Sequence, residues 1–523
     1  MAMGRQGSRA LTPYRRWRRS RRSSTASTRA RTATRTPTRR SSWSTSGSSP
    51  TASSPSRRPS AIGATRGRWT TRSSSAAACG SAAPRTTVRS GSGSACPSAR
   101  PSAAPRSWRS SARRRSCCRA GGERWTNTAT SDSRERVEMI RHFSNVYAGH
   151  VDLGDMGQDA TPANDRRYSN AHLATVFDKT TAVAKTMDEH GYSILWLAEH
   201  HFQHEGYEAI PNLLMCAVDL AHKTRQLKIG CGFNITPMWH PLRLAEDFAT
   251  ADILTKGRTV FGVGRGYHTR EVETFGAPML DQEANRELFE EQVEIIMKAF
   301  REESFSHKGK RYTLPPNVPY RGYDLKELTL VPRPVNLPVE TWQPVVSAGA
   351  RGLDFMMKHR IKGLIGGGAA TAAQKSIYAF QEAAHRAGLD YKLGEGLSLG
   401  IFYYLADSRE RAIREITPFY EEHVKMFGPL GFVPGITPEQ LEASTKRGGW
   451  DTAGVPKVTD YMKVGAWFAG TVDELVAYLH ELEAKFPGLE YVHLSNSMGM
   501  PQKVMLEQLA WLGKEVLPKF KNR

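Results

Sequence analysis

The chain has 523 residues and a formal net charge of +22. The whole excess lies in residues 1–136, which hold 30 arginines, no lysine and three acids (Glu123, Asp132, Glu135), a net of +27. The remainder carries 43 basic and 48 acidic residues, a net of −5, which argues against nucleic-acid binding by that part; nor does any apolar run approach the roughly 20 residues of a membrane span.

Residues 1–136 are almost entirely Arg, Ser, Thr, Ala, Pro and Gly, too poor in large apolar side chains to bury a core. A disordered low-complexity tail is expected there. An Arg-rich arm can bind nucleic acid through phosphates, and an acid-poor, Ser-rich start can be a transit peptide. Arginine used 30 times and lysine never is instead a codon-level bias, as when GC-rich DNA is translated outside its reading frame. The sequence favours that gene-model artefact, with Met139 as the expected initiator. The body has only Cys216 and Cys231, and no CxxC occurs anywhere. The reading is a reduced, cytoplasmic protein with no metal site.

From 139 to 523, helix and strand patterns alternate. Strands are expected at 143–148, 193–199, 226–235, 259–263, 343–347, 361–365, 397–406 and 490–494. Helices are expected at 170–189, from Pro211 through 222, from Pro241 to about 254, and at 283–300, 351–358 and 371–387. Ser408 and Thr471 should cap two more, and a last helix runs to about 519. Residues 303–342 and 428–465, rich in Gly and Pro, read as excursions. Close to eight strand–helix units make an α/β (β/α)8 TIM barrel with insertions the expected fold, ahead of a doubly wound open sheet.

The second strand, Ile194-Leu-Trp-Leu197, runs out into Glu199, His200 and His201. Such a strand end is where a barrel places its active face. Adjacent residues on a strand point to opposite faces, so one histidine can face the mouth while the other packs. The i,i+4 pairs His200/His204 and His201/Glu205 have metal spacing, but Gly206 and the strand context oppose the helix this needs. Gly262-Val-Gly264-Arg265-Gly266-Tyr267 ends the fourth strand; small residues would let a flat cofactor approach while Arg265 meets an anion. Ser347-Ala348-Gly349-Ala350-Arg351 precedes a helix, where free N–H groups suit a phosphate. Gly366, Gly367 and Gly368 give room at the mouth. Trp196, Phe233 and Tyr267 are pocket walls or core.

Several blocks in order carry a resemblance. They are Glu199-His-His-Phe202, His240-Pro241 with Arg243 and Ala245-Glu-Asp247, Gly257-Arg258, Gly264-Arg-Gly-Tyr267, Ala469-Gly-Thr471 and Val516-Leu-Pro518. With their spacing, residues 140–523 resemble the bacterial luciferase-like flavin-dependent monooxygenases. The resemblance implies a barrel binding flavin at the C-terminal strand ends, with His200 as the catalytic histidine and Arg265 on the flavin phosphate. Ser347, Ala348, Gly349, Ala350 and Arg351 would complete the phosphate site. A non-prolyl cis peptide would lie at Gly232–Phe233, beside the cofactor, and 428–465 would be a mobile active-site loop. His201, Asn234 and Tyr267 are the expected substrate pocket. Reduced FMN from a separate flavin reductase would react with O2 to give a peroxyflavin that oxygenates a small organic substrate, in a homo-oligomer. The family also has members that use the deazaflavin F420 for hydride transfer, which is the alternative reading. Gly366–Gly368 replace a luciferase tryptophan near the flavin ring, so luciferase aldehyde chemistry is not carried over.

Overall fold

Ile194-Leu-Trp-Leu197 contains no polar residue, and such a strand needs cover on both faces. In the computed structural model, which describes residues 140–521, all four of these side chains are buried. The expectations for residues 1–136 and Met139 lie outside the described residues. Eight parallel strands form the central sheet: β1 (His142–Tyr147), β2 (Ile194–Leu197), β3 (Lys228–Cys231), β4 (Thr259–Gly264), β5 (Thr341–Pro344), β6 (Lys362–Gly366), β7 (Leu397–Leu405) and β8 (Tyr491–Ser495). Neighbours pair in chain order, and β8 returns to β1 through His142↔Tyr491, which closes the barrel. The pairing β4–β5, in the register Thr341↔Phe261, carries the ring across the 303–342 excursion.

Inside the ring, Ile194, Trp196, Val260, Trp342 and Leu364 fill the lumen, with Trp196 and Trp342 edge to face at 5.4 Å. Gly230 makes this possible, because a Cβ there would stand 2.2 Å from the Trp196 indole. Trp196 is therefore a plug below the mouth and not a wall of the cavity. The long helices among the described residues are α1 (Asn170–Glu189), α2 (Leu213–Lys223), α3 (Pro241–Leu254), α4 (Gln282–Arg301), α5 (Ala350–His359), α6 (Thr371–Arg386), α7 (Arg409–Phe427), α8 (Val472–Lys485) and α9 (Gln502–Glu515). They bury their apolar stripes on the outside of the sheet, as in the contact of α1 with α9. Ser408 accepts from the Arg411 N–H, and Thr471 forms a capping box with Glu474.

The structure departs from the expected elements in four places. Pro211 does not open α2, because Asn212 is its cap and accepts from the Met215 N–H. The expected strand 226–235 breaks at a cis Gly232–Phe233 peptide; Asn234–Ile235 then pairs with the end of β4. β5 starts two residues early, since Trp342 is fully buried in the lumen, whereas Val346 is exposed at the mouth. Finally, Trp467–Gly470, read only as a lead into α8, is a strand on the outer end of β7. The excursion at 303–342 holds two small hairpins, and 428–465 holds three short helices.

Candidate active site

The C-terminal strand ends open into a cavity of about 770 Å3, a volume typical of small-molecule sites, which run roughly 300–1,000 Å3. Its two ends differ in chemistry. At one end stands His200, carried just past β2 and fixed by its N–H donating to the Ile210 carbonyl. Its Nδ1 lies 3.3 Å from Glu271, on the short helix Thr269–Val272, and its Nε2 lies 3.2 Å from Glu208 and 3.1 Å from the Tyr267 hydroxyl. Tyr267 donates to Glu208 at 2.9 Å, so its oxygen is left to accept from His200. Gln203 ties the two carboxylates together, donating to Glu208 at 2.9 Å and Glu271 at 3.1 Å.

Burial alone would make the His200 imidazole neutral. The carboxylates of Glu208, Glu271 and Glu199 outweigh that penalty and raise its pKa above the ordinary histidine value. Burial would likewise raise the Glu271 carboxyl, but His200, His268 and Gln203 hold it lowered. Burial first, and then Glu208, push the Tyr267 phenol well up. Both His200 ring nitrogens thus face carboxylate oxygens, an arrangement that favours the protonated ring, with neutral Tyr267 beside it.

The other end is cationic. The α5 N-terminus has Gly349 as its cap, with no capping side chain, so the first-turn N–H groups have no acceptor within the helix. Arg265 leaves the end of β4 and is held by α4, with Nε donating to Asn285 at 2.8 Å and Nη2 to the Gln282 carbonyl at 2.9 Å. Burial lowers the Arg265 pKa first, then Arg286 and Arg351, while Glu290 and Glu283 partly offset them. Arginines beside a helix N-terminus make an arrangement that can receive an anion. Arg351 is bridged to Glu283 at 2.5 Å and to Glu290 at 2.7 Å, so the anion would compete with a carboxylate for it.

Of the residues singled out from sequence, His200, Gly232, Phe233, Arg265, Tyr267, Ser347, Gly349, Ala350 and Arg351 line this cavity. His201, Asn234 and Ala348 are not among its lining. His201 turns to Glu199 at 3.2 Å and packs on Phe275. Asn234 is buried and donates to the Gly262 carbonyl. Glu199 accepts from the Ile235 N–H and the Trp239 indole, so it braces the loop after β3. Among the described residues the grouping with metal-ligand geometry is neither i,i+4 pair but His200, His268 and Glu271, whose potential ligand atoms lie within 4.8 Å of one another. Sequence reading missed Glu208, Glu271, Arg286, Phe427 and Phe432. Glu208 had a local signal, a carboxyl eight residues after His200 in the same βα loop. The others come from distant loops and helices.

Residues 157–486 match the family model described as luciferase-like monooxygenase. Over 140 residues the chain is 28% identical to the oxygenase component of the flavin-dependent trigonelline monooxygenase of Acinetobacter baylyi, covering 27% of this chain and 38% of that protein. An uncharacterized protein of Sinorhizobium fredii is 29% identical over 145 residues, 28% of this chain and 40% of its own length. The chain thus spans about two fifths of the curated relatives it matches. Among solved structures, a monooxygenase of Streptomyces bottropensis superposes with a TM-score of 0.52 at 19% identity, covering 72% of this chain and 99% of that one. The oxygenating constituent of 3,6-diketocamphane monooxygenase of Pseudomonas putida, in complex with FMN, gives 0.52 at 18%, covering 73% and 99%. These two share the fold.

Proposed function

Because the chain belongs to the luciferase-like monooxygenase family, we propose that it is a flavin-dependent monooxygenase, using reduced FMN and O2 to oxygenate a small organic substrate. The observation that carries this reading is the pairing of an arginine-lined cradle and a buried, carboxylate-flanked histidine in one cavity. The residues fit the cofactor: Arg265, Arg286, Ser347 and the α5 N-terminus suit its phosphate, and the Gly232–Phe233 and Gly264 backbone suits a flat ring. When bound, reduced FMN supplies the electrons that activate O2. A separate flavin reductase would provide it.

The protein's own contribution is proton control and exclusion of water. His200 can hold and give up a proton at the cavity wall, and Glu208 and Glu271, facing its two nitrogens, favour the protonated ring. Tyr267 orients the Nε2 proton. Phe427 and Phe432 cover the mouth from α7 and the segment that follows it. The test is titration with FMN and with F420, followed by turnover with a generic reductase and O2. FMN binding with substrate-dependent oxygenation supports the reading; binding of F420 and not of FMN overturns it.

A further inference from the structure

A second, smaller cavity of about 170 Å3 lies over β6–β8 and β1. It shares Val146, Ala148 and Phe427 with the main cavity, so the two meet at one wall. Its lining includes His150, His423 and His493 but no Asp, Glu, Lys or Arg. His150 is 2% exposed and His423 is 9% exposed. Among the described residues, His150 Nε2 and His423 Nδ1 have no hydrogen-bond partner, although buried polar atoms are nearly always paired.

The tautomer of His150 follows from its neighbour. Lys179 Nζ stands 3.1 Å from His150 Nδ1, 2.7 Å from Asp152 and 2.8 Å from the Met500 carbonyl. An ammonium has three donors and no acceptor, so Nδ1 accepts and the ring proton sits on Nε2. The 3.3 Å contact of Nδ1 with the Val151 carbonyl would need the opposite tautomer; the lysine, lowered by burial to about 8 and so mainly an ammonium at pH 7, donates over the shorter distance and decides. His150 therefore presents an unused N–H donor in a pocket walled by Phe402, Phe427, Ile401 and Met498. His493 fits only because residue 400 is glycine, whose Cβ would stand 1.9 Å from its Nε2. Burial pushes His423 and His493 down to about 3, so neither offers a charge.

We infer that this cavity is the substrate subsite, and that it selects an uncharged small molecule whose polar group is a hydrogen-bond acceptor such as a carbonyl. His150 Nε2–H donates to that acceptor, and His423 Nδ1 lies alongside it. A carboxylate would be buried there with no cation in the lining, since the Lys179 charge behind His150 is already matched by Asp152, which is unfavourable; a hydrocarbon would leave both imidazoles unpaired. The inference rests on the monooxygenase reading for the meaning of "substrate" but not for the binding itself.

The test uses the whole flavin-free protein with 15N-labelled histidine, observed by NMR. Probes are cyclohexanone, cyclohexanecarboxylate and methylcyclohexane at equal concentration. Cyclohexanone should shift the His150 and His423 resonances, assigned with His150→Phe and His423→Phe, and bind at least fivefold more weakly to His150→Phe. If the ketone moves His200 and not His150 or His423, or if the carboxylate binds as well as the ketone, the inference falls. A cavity that holds only water gives no ketone-specific shift and overturns it as well. The wild-type comparison stands even if a variant fails to fold. A parallel FMN titration separates the two claims. Loss of FMN binding alone sinks the functional reading; absence of ketone shifts in a protein that binds FMN sinks only this one.

Discussion

His200 and His423 are both buried at the mouth of the same barrel, yet their environments shift their pKa values in opposite directions. His200 sits among Glu208, Glu271 and Glu199, which overcome the burial penalty. His423 is packed against Phe402, Phe427 and Trp467, and burial is its only influence. The β2–β5 half of the mouth therefore holds charge, and the β6–β8 half holds neutral polar groups. The lesson is that partners, and not depth, set what a buried histidine can do. A mouth divided this way can anchor an anionic cofactor on one side and admit a neutral substrate on the other.

The contrast can be broken at its charged pole first. His200→Ala should leave FMN affinity within about threefold yet lower coupled product formation by roughly 10²–10⁴-fold, the usual worth of a general acid or base. Hydrogen peroxide measured against product checks this, and unchanged coupling would count against His200. Next comes the sign of the pH response. With its pKa raised, His200 contributes stability that is present below the ordinary value near 6.5 and lost as pH rises through the folded value. His423, lowered to about 3, does the reverse: the fold loses stability as pH falls from about 6.5 toward 3. His423→Phe should therefore reduce the stability lost between pH 7 and 4.5, by up to about 2.5 kcal/mol. Urea unfolding at both pH values reads this, and an unchanged difference would show that His423 is not the neutral group described. The smallest effect is at the exposed rim. Glu283→Gln removes a competitor for Arg351 and should tighten FMN binding by about two- to fivefold, read by flavin fluorescence; weaker binding would mean that Glu283 supports the site.

The charged half was more legible in the sequence than the neutral half, for a physical reason. His200, Arg265 and the Ser347–Arg351 turn each sit where a strand ends, so local pattern alone places them at the mouth. The central strands and their helices were readable for the same reason, since an apolar run and a cap are local signals. Arg286 and Glu271 look like ordinary charges on solvated helices until closure of the barrel turns them inward. His150, His423 and His493 come from a loop after β1, from α7 and from β8. Their meeting is a property of the closed ring, and no spacing in the chain announces it. Trp467–Gly470 was missed because its partner is the outer end of a nine-residue β7, longer than its ring neighbours need.

The claim at the centre of this account is that the cationic end of the large cavity holds the phosphate of a flavin. FMN and riboflavin differ only in that phosphate, so comparing their affinities for the wild-type protein and for Arg265→Met isolates it. The account predicts that FMN binds the wild type about 100-fold more tightly than riboflavin, as charge-assisted contacts to a phosphate allow, and that Arg265→Met removes most of the difference. Equal affinity for FMN and riboflavin in the wild type would contradict it.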